Sequence, residues 1–192
     1  MMIFLILAPY GAFTFLMLVT STAVSLFASA AICLAVIGID ACYGRSIKIL
    51  GVGSVLTFVA TGAWVSLVDP SFSSSAVKFC VDTGIFLISL GSMLARYPFT
   101  LQYALEVVDG ETAKLAGFVR ANYVLTGAWT AASLLMMAGN AAMIYIPGLP
   151  LWVGLLVAFA VRNATVYFTQ WYPQYRRAKY GTPPSNALPG AN

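Results

Sequence analysis

Between Met2 and Ile39 the sequence holds no charged residue. As one helix this run would be about 55 Å long, nearly twice the hydrocarbon thickness of a bilayer. A chain with such an opening must fold inside a membrane and must turn back once within the run. Composition agrees: 60% of residues are hydrophobic and 8% charged, against about 25% charged in soluble domains. So few charges cannot cover a water-soluble surface, which leaves an all-α polytopic membrane protein.

The turn is expected at Thr20-Ser21-Thr22, because both halves, 2–19 and 23–39, then match a span. Pro9-Tyr10-Gly11 is the competing position and would leave one long tilted helix. No Lys or Arg precedes the first apolar run, and Ala28-Ser29-Ala30 lies far behind it, so the segment reads as a retained span, not a cleaved leader. Further spans are expected at 49–68, 75–95, 121–146 and 151–170, ended by Asp69-Pro70, Arg96, Pro147-Gly148 and an aromatic belt of Trp171, Tyr172 and Tyr175. The pattern is a bundle of six transmembrane helices, residues 1–179, followed by a disordered tail, 180–192.

Six spans place Arg45, Lys48, Arg96, Lys114, Arg120, Arg176, Arg177 and Lys179 on one side, eight of the ten basic residues. The positive-inside rule then makes that side cytoplasmic, with both termini there, in an inner membrane. No basic cluster interleaved with aromatics lies outside the membrane flanks, so nucleic acid is not an expected partner.

There is no histidine, which removes the commonest metal ligand and the commonest general base. Cys33, Cys42 and Cys80 have no paired spacing and read as small apolar fillers. Neither a cofactor, a metal site nor a catalytic set is expected, and enzymatic activity is not indicated.

Polar residues inside the spans form stripes. The fourth carries Lys78, Asp82, Ser89 and Ser92; the fifth Asn122, Thr126, Thr130, Ser133 and Asn140; the sixth Gly154, Ala158, Arg162, Thr165 and Thr169. Small and polar residues favour helix–helix contact in lipid, so the stripes are expected to face one another. A charge at mid-membrane costs about 2.5–3.5 kcal/mol even on the lenient scale. Lys78 and Asp82 are four residues apart and are expected to neutralise each other. Arg162 has no acid on its own helix, so Asp82 is its expected partner, with spans four and six adjacent. Lys78, Asp82, Arg162 and Asn122 are therefore the candidate ligand site or buried polar network.

Between spans four and five, Tyr97–Val108 is expected to form a cytoplasmic interfacial helix. Phe99, Leu101, Leu105 and Val108 would face the lipid or the bundle, with Asp109-Gly110 ending the helix. Its candidate functional residues are Arg96, Pro98, Thr100, Gln102 and Tyr103.

Lys78, the segment Arg96-Tyr97-Pro98-Phe99-Thr100-Leu101-Gln102-Tyr103-Ala104, Arg120-Ala121-Asn122 and Trp129 together resemble bacterial intracellular septation protein A and its uncharacterised relatives, over residues 9–145. The resemblance carries over to Lys78, Pro98, Asn122 and Trp129. It implies a non-enzymatic inner-membrane protein of cell-envelope maintenance or division, whose partners are membrane lipid, other membrane proteins or further copies of itself. The chain departs from the family by lacking a strongly charged loop over Glu106–Ala116. The alternative expectation is a small-molecule or ion carrier or channel with a polar path past Lys78, Asp82 and Arg162.

Overall fold

A computed structural model describes residues 2–146 and 148–180. The expected disordered tail lies outside the described residues, apart from Tyr180. The chain is helical: α1 (Met2–Val19), α2 (Thr22–Cys42), α3 (Ile49–Leu67), α4 (Ser74–Leu94), α5 (Phe99–Ala104), α6 (Gly110–Lys114), α7 (Ala116–Tyr145) and α8 (Leu151–Tyr180). Five of these, α2, α3, α4, α7 and α8, are long and apolar enough to cross a membrane. In α1 the apolar part with described side chains is the shorter stretch Ala8–Val19.

The opening run breaks where its hydroxyls cluster. α1 ends at Val19, and Ser21 caps α2 by accepting a hydrogen bond from the Val24 amide at 3.4 Å. The Pro9 turn does not occur, because Pro9 lies inside α1. α4 is started in the same way by Ser73, whose hydroxyl accepts from the Ala76 amide.

Two helices exceed their expected bounds by five residues or more, and α2 runs on to Cys42, three residues past 39. α7 begins at Ala116, five residues before 121, just after the short α6 that Asp109 caps through the Thr112 amide. Asp109-Gly110 thus opens a helix as well as ending the preceding segment. α8 continues ten residues past 170 and through Pro173, and ends in Arg177 and Lys179, cations suited to a helix C-terminus.

The helices pack as an ordered row, α1 on α2, α2 on α3, α3 on α4, α4 on α7 and α7 on α8. One half is an apolar core in which Tyr10 and Phe13 of α1 meet Leu26, Ala30 and Cys33 of α2, Phe58 and Val65 of α3, and Val77, Val81 and Ile85 of α4. Cys33 fills space as expected, whereas Cys42 is exposed. The other half, between α4 and α7, is held by buried small and polar groups, among them Ser89, Ser92, Thr126, Ser133 and Asn140. Close approach of α3 and α4 depends on Gly84, where any β-carbon would overlap the Thr57 side chain.

The α2–α3 turn, the α4–α7 connection and the end of α8 meet at one end of the bundle. Ser46 and Lys48 touch Glu106, and Arg176 reaches Gly117. This basic end carries the eight clustered basic residues named above.

Candidate functional site

Two groups of polar side chains stand out, one at the basic end and one within the opposite half of the bundle.

At the basic end, α4 stops at Arg96, whose φ of 59° lies in the left-handed region seldom used by residues other than glycine. The Arg96 and Tyr97 amides turn back onto the Met93 and Ser92 carbonyls, closing the helix end. Pro98, fully buried, then fixes the chain direction, and the Ser92 hydroxyl accepts from the Phe99 amide at 3.1 Å. The result is a six-residue helix, α5, shorter than the expected Tyr97–Val108. Phe99 and Leu101 are buried in the protein, while Leu105 and Val107 are exposed.

Each polar residue of α5 has a defined partner. The Thr100 hydroxyl donates to the Asn122 carbonyl at 2.9 Å and lies 2.8 Å from the Thr126 hydroxyl. The Gln102 side-chain oxygen accepts from the Ile49 amide at 2.8 Å, satisfying the first turn of α3 from a residue 53 positions away. Burial pushes the Tyr103 phenol above its ordinary value, so it stays neutral, and its ring lies 5.3 Å beneath the Lys48 ammonium. Arg96 itself is exposed.

Lys48 is the centre of this end and is only 5% exposed. Its ammonium meets Asp40 at 2.7 Å and Glu106 at 3.0 Å, and donates also to the Ser46 carbonyl. Arg45 makes a second contact to Asp40 at 3.2 Å, and the Ser46 hydroxyl donates to Glu106. The second Glu106 oxygen is buried without a hydrogen-bond partner. Beside the cluster is a cavity of about 50 Å³ lined by Val36, Ile37, Asp40, Lys48, Gly51 and Tyr103.

In the opposite half, Asp82 of α4 is 7% exposed and accepts one hydrogen bond, from the Asn140 side-chain amide of α7 at 2.8 Å. Lys78 and Arg162 lie within electrostatic range of Asp82, and Arg162 also within range of the Tyr10 hydroxyl, which is bonded to Ser54. None of the three charged groups contacts another. All described ion pairs within 4.0 Å belong to the other end or to the Glu111–Lys114 pair.

The expected network is thereby corrected in three respects. Lys78 and Asp82 do not pair directly despite their spacing. α8 packs chiefly on α7 and not on α4, so Arg162 meets Asp82 only at electrostatic range and makes no ion pair with it. Asn122 is not part of this group. It sits at the start of α7, where its amide donates to the Phe118 carbonyl and its own carbonyl accepts from Thr100. Asn140, on the same stripe of α7 but 18 residues later, takes the place expected for it. The sequence reading also missed Asp40, Lys48 and Glu106 as a cluster. Their only local signal is a lysine directly before an apolar run.

Among the described residues, no three His, Cys, Asp or Glu side chains come together as a metal site. Trp129 links α7 to α8 by donating to the Thr169 hydroxyl at 3.1 Å. No family model matches the chain, and neither a curated protein nor a solved structure does.

Proposed function

We propose that this is a six-span inner-membrane protein with both termini in the cytoplasm, which serves cell-envelope maintenance or division by binding a partner within the membrane and not by catalysis. In this reading α1 is the first span, and α5 lies at the cytoplasmic interface as part of the inner surface. The observation that carries the reading is the state of α8. It packs chiefly against α7 and leaves Trp152, Leu156, Phe159 and Tyr167 exposed, with the polar Asn163 exposed among them. Asn163 satisfies its amide on the Phe159 carbonyl of its own helix. A polar residue on the outer face of a membrane helix fits a helix–helix contact better than a lipid contact.

Two measurements test this. A photocrosslinker at Phe159 should give a discrete protein adduct in native membranes, while one at Leu56, 65% exposed on α3, should give lipid adducts only. Lipid adducts alone at both positions would remove the partner-binding role of α8. For orientation, a cysteine at Ser73 should react with an impermeant reagent from outside and one at Ser185 should not; the reverse pattern would invert the topology.

The carrier reading is favoured by one observation, that Lys78, Asp82 and Arg162 make no ion pair with one another. Charges held inside a bundle without pairing leave polar groups available to something that passes.

A further inference from the structure

The cluster at the basic end is balanced in charge but incomplete in hydrogen bonding. Asp40 and Glu106 carry two negative charges, Lys48 and Arg45 two positive. The Lys48 ammonium is fully engaged: it donates to Asp40 at 2.7 Å and to the Ser46 carbonyl, and pairs with Glu106 at 3.0 Å. Three groups around it keep unused capacity. The second Glu106 oxygen is buried and accepts no hydrogen bond. The Tyr103 hydroxyl makes none among the described residues. Arg45 gives a single hydrogen bond, to Asp40 at 3.2 Å, and its side chain is 43% exposed, so most of its fork of five donors remains free.

The cavity of about 50 Å³ adjoins these groups and has two unlike sides. Asp40, Arg45 and Tyr103 line it on one, and Val36, Ile37 and Ile47 on the other. It is partly open, with room for a few waters or one ammonium group. Ile47 is exposed, and so are Ile39 and Ile49, which adjoin Asp40 and Lys48 in sequence. The turn that carries the cavity joins α2 to α3, both long and apolar enough to cross a membrane. In a bilayer crossed by these two helices, an opening between their ends lies at the headgroup layer.

We propose that this cavity binds the headgroup of a phosphatidylethanolamine lipid, with the primary ammonium inside and the phosphate outside it on Arg45. The ammonium brings N–H donors to the carboxylate side of the cavity, where Asp40 and the Tyr103 hydroxyl can accept them. The phosphate suits the free part of the guanidinium fork. Charge stays balanced, because the phosphate takes over Arg45 while the ammonium joins Lys48 opposite the two carboxylates. Rival headgroups each fail on one count. Phosphatidylcholine carries the same charges but has no N–H donor, and phosphatidylglycerol brings no cation to set against Asp40 and Glu106. The inference needs α2 and α3 to cross the bilayer, but not the orientation or the partner-binding role of α8, so either stands if the other fails.

The test uses the full chain in phosphatidylcholine nanodiscs, with thermal unfolding followed as phosphatidylethanolamine replaces a rising fraction of the phosphatidylcholine. A saturable rise in the unfolding midpoint is expected, and none when phosphatidylglycerol is used instead. In a second arm soluble phosphoethanolamine, which shares the headgroup chemistry, is added to the phosphatidylcholine discs. A rise with the lipid alone identifies the headgroup as the ligand, and a matching rise with the soluble compound identifies a free amine phosphate at the same site. Arg45→Gln should weaken the response about 10- to 100-fold, the loss expected for hydrogen bonds to a charged group, and Tyr103→Phe about 2- to 10-fold. Arg45 is half-exposed and Tyr103→Phe keeps the ring beneath Lys48, so neither change removes the clasp that holds this end together. No saturable rise, an equal rise with phosphatidylglycerol, or a rise that both variants leave unchanged overturns the proposal.

Discussion

Lys48 and Arg162 are both cations withdrawn from bulk water, and their surroundings could hardly differ more. Lys48 touches two carboxylates and a carbonyl and lies over an aromatic ring. Arg162 makes no ion pair or hydrogen bond among the described residues and feels Asp82 only at a distance. Burial of a charge is thus no guide to its role. What separates a structural ion from an available one is whether its hydrogen-bonding capacity is spent inside the protein.

The largest effect should come from Lys48→Met. It leaves Glu106 without a cation and Asp40 with Arg45 alone, and should cost about 3–5 kcal/mol, the usual result of removing one partner of a buried ion pair. Thermal unfolding in detergent reads this directly, and a cost below about 1 kcal/mol would mean the cluster is solvated and not structural. Next is Tyr103→Leu, which keeps the apolar bulk but removes the ring under the ammonium. A loss of about 0.5–2 kcal/mol is expected, and it should vanish when Lys48 is already Met, because the ring then has no cation to face. Arg162→Met should have the smallest effect, under about 1 kcal/mol in either direction, since relief of desolvation and loss of a long-range attraction oppose each other and no hydrogen bond is stranded. A loss as large as that of Lys48→Met would erase the distinction between the two ends and point to a bonded Asp82–Arg162 pair.

Much of the fold was legible in the sequence because membrane insertion is governed by local quantities. The break at Thr20-Ser21, the stop at Asp69-Pro70 and the long apolar helices all follow from runs of neighbouring residues. The polar stripe of α7 was also legible, since helical periodicity alone puts Thr126, Ser133 and Asn140 on a face that the structure buries. Which member of a stripe meets which member of another was not. Asn122 and Asn140 are equivalent by pattern, and only the relative axial placement of α4 and α7 gives Asp82 to Asn140. Glu106 escaped notice for a similar reason. Its partner Lys48 lies on another connection, and their meeting depends on the reversal at Arg96 and Pro98 that folds α5 back over the start of α3. The length of α5 was overestimated because Tyr97–Val108 has a helical apolar pattern throughout, yet burial of Phe99 and Leu101 and the exposure of Val107 divide it.

The hydrogen bond from the Ile49 amide to Gln102 also orders events during synthesis. When Ile49 is added to the chain, the group that will satisfy its amide is 53 residues from being made, about 3–10 s away at ordinary elongation rates. Glu106 follows later still. Throughout that interval Lys48 has Asp40, made eight residues earlier, but not Glu106, and its charge is only partly answered. Only after α4 has been made does α5 arrive and complete its burial. Lys48 thus becomes a clasp between the α2–α3 turn and the α4–α7 connection only once the later segment has been made.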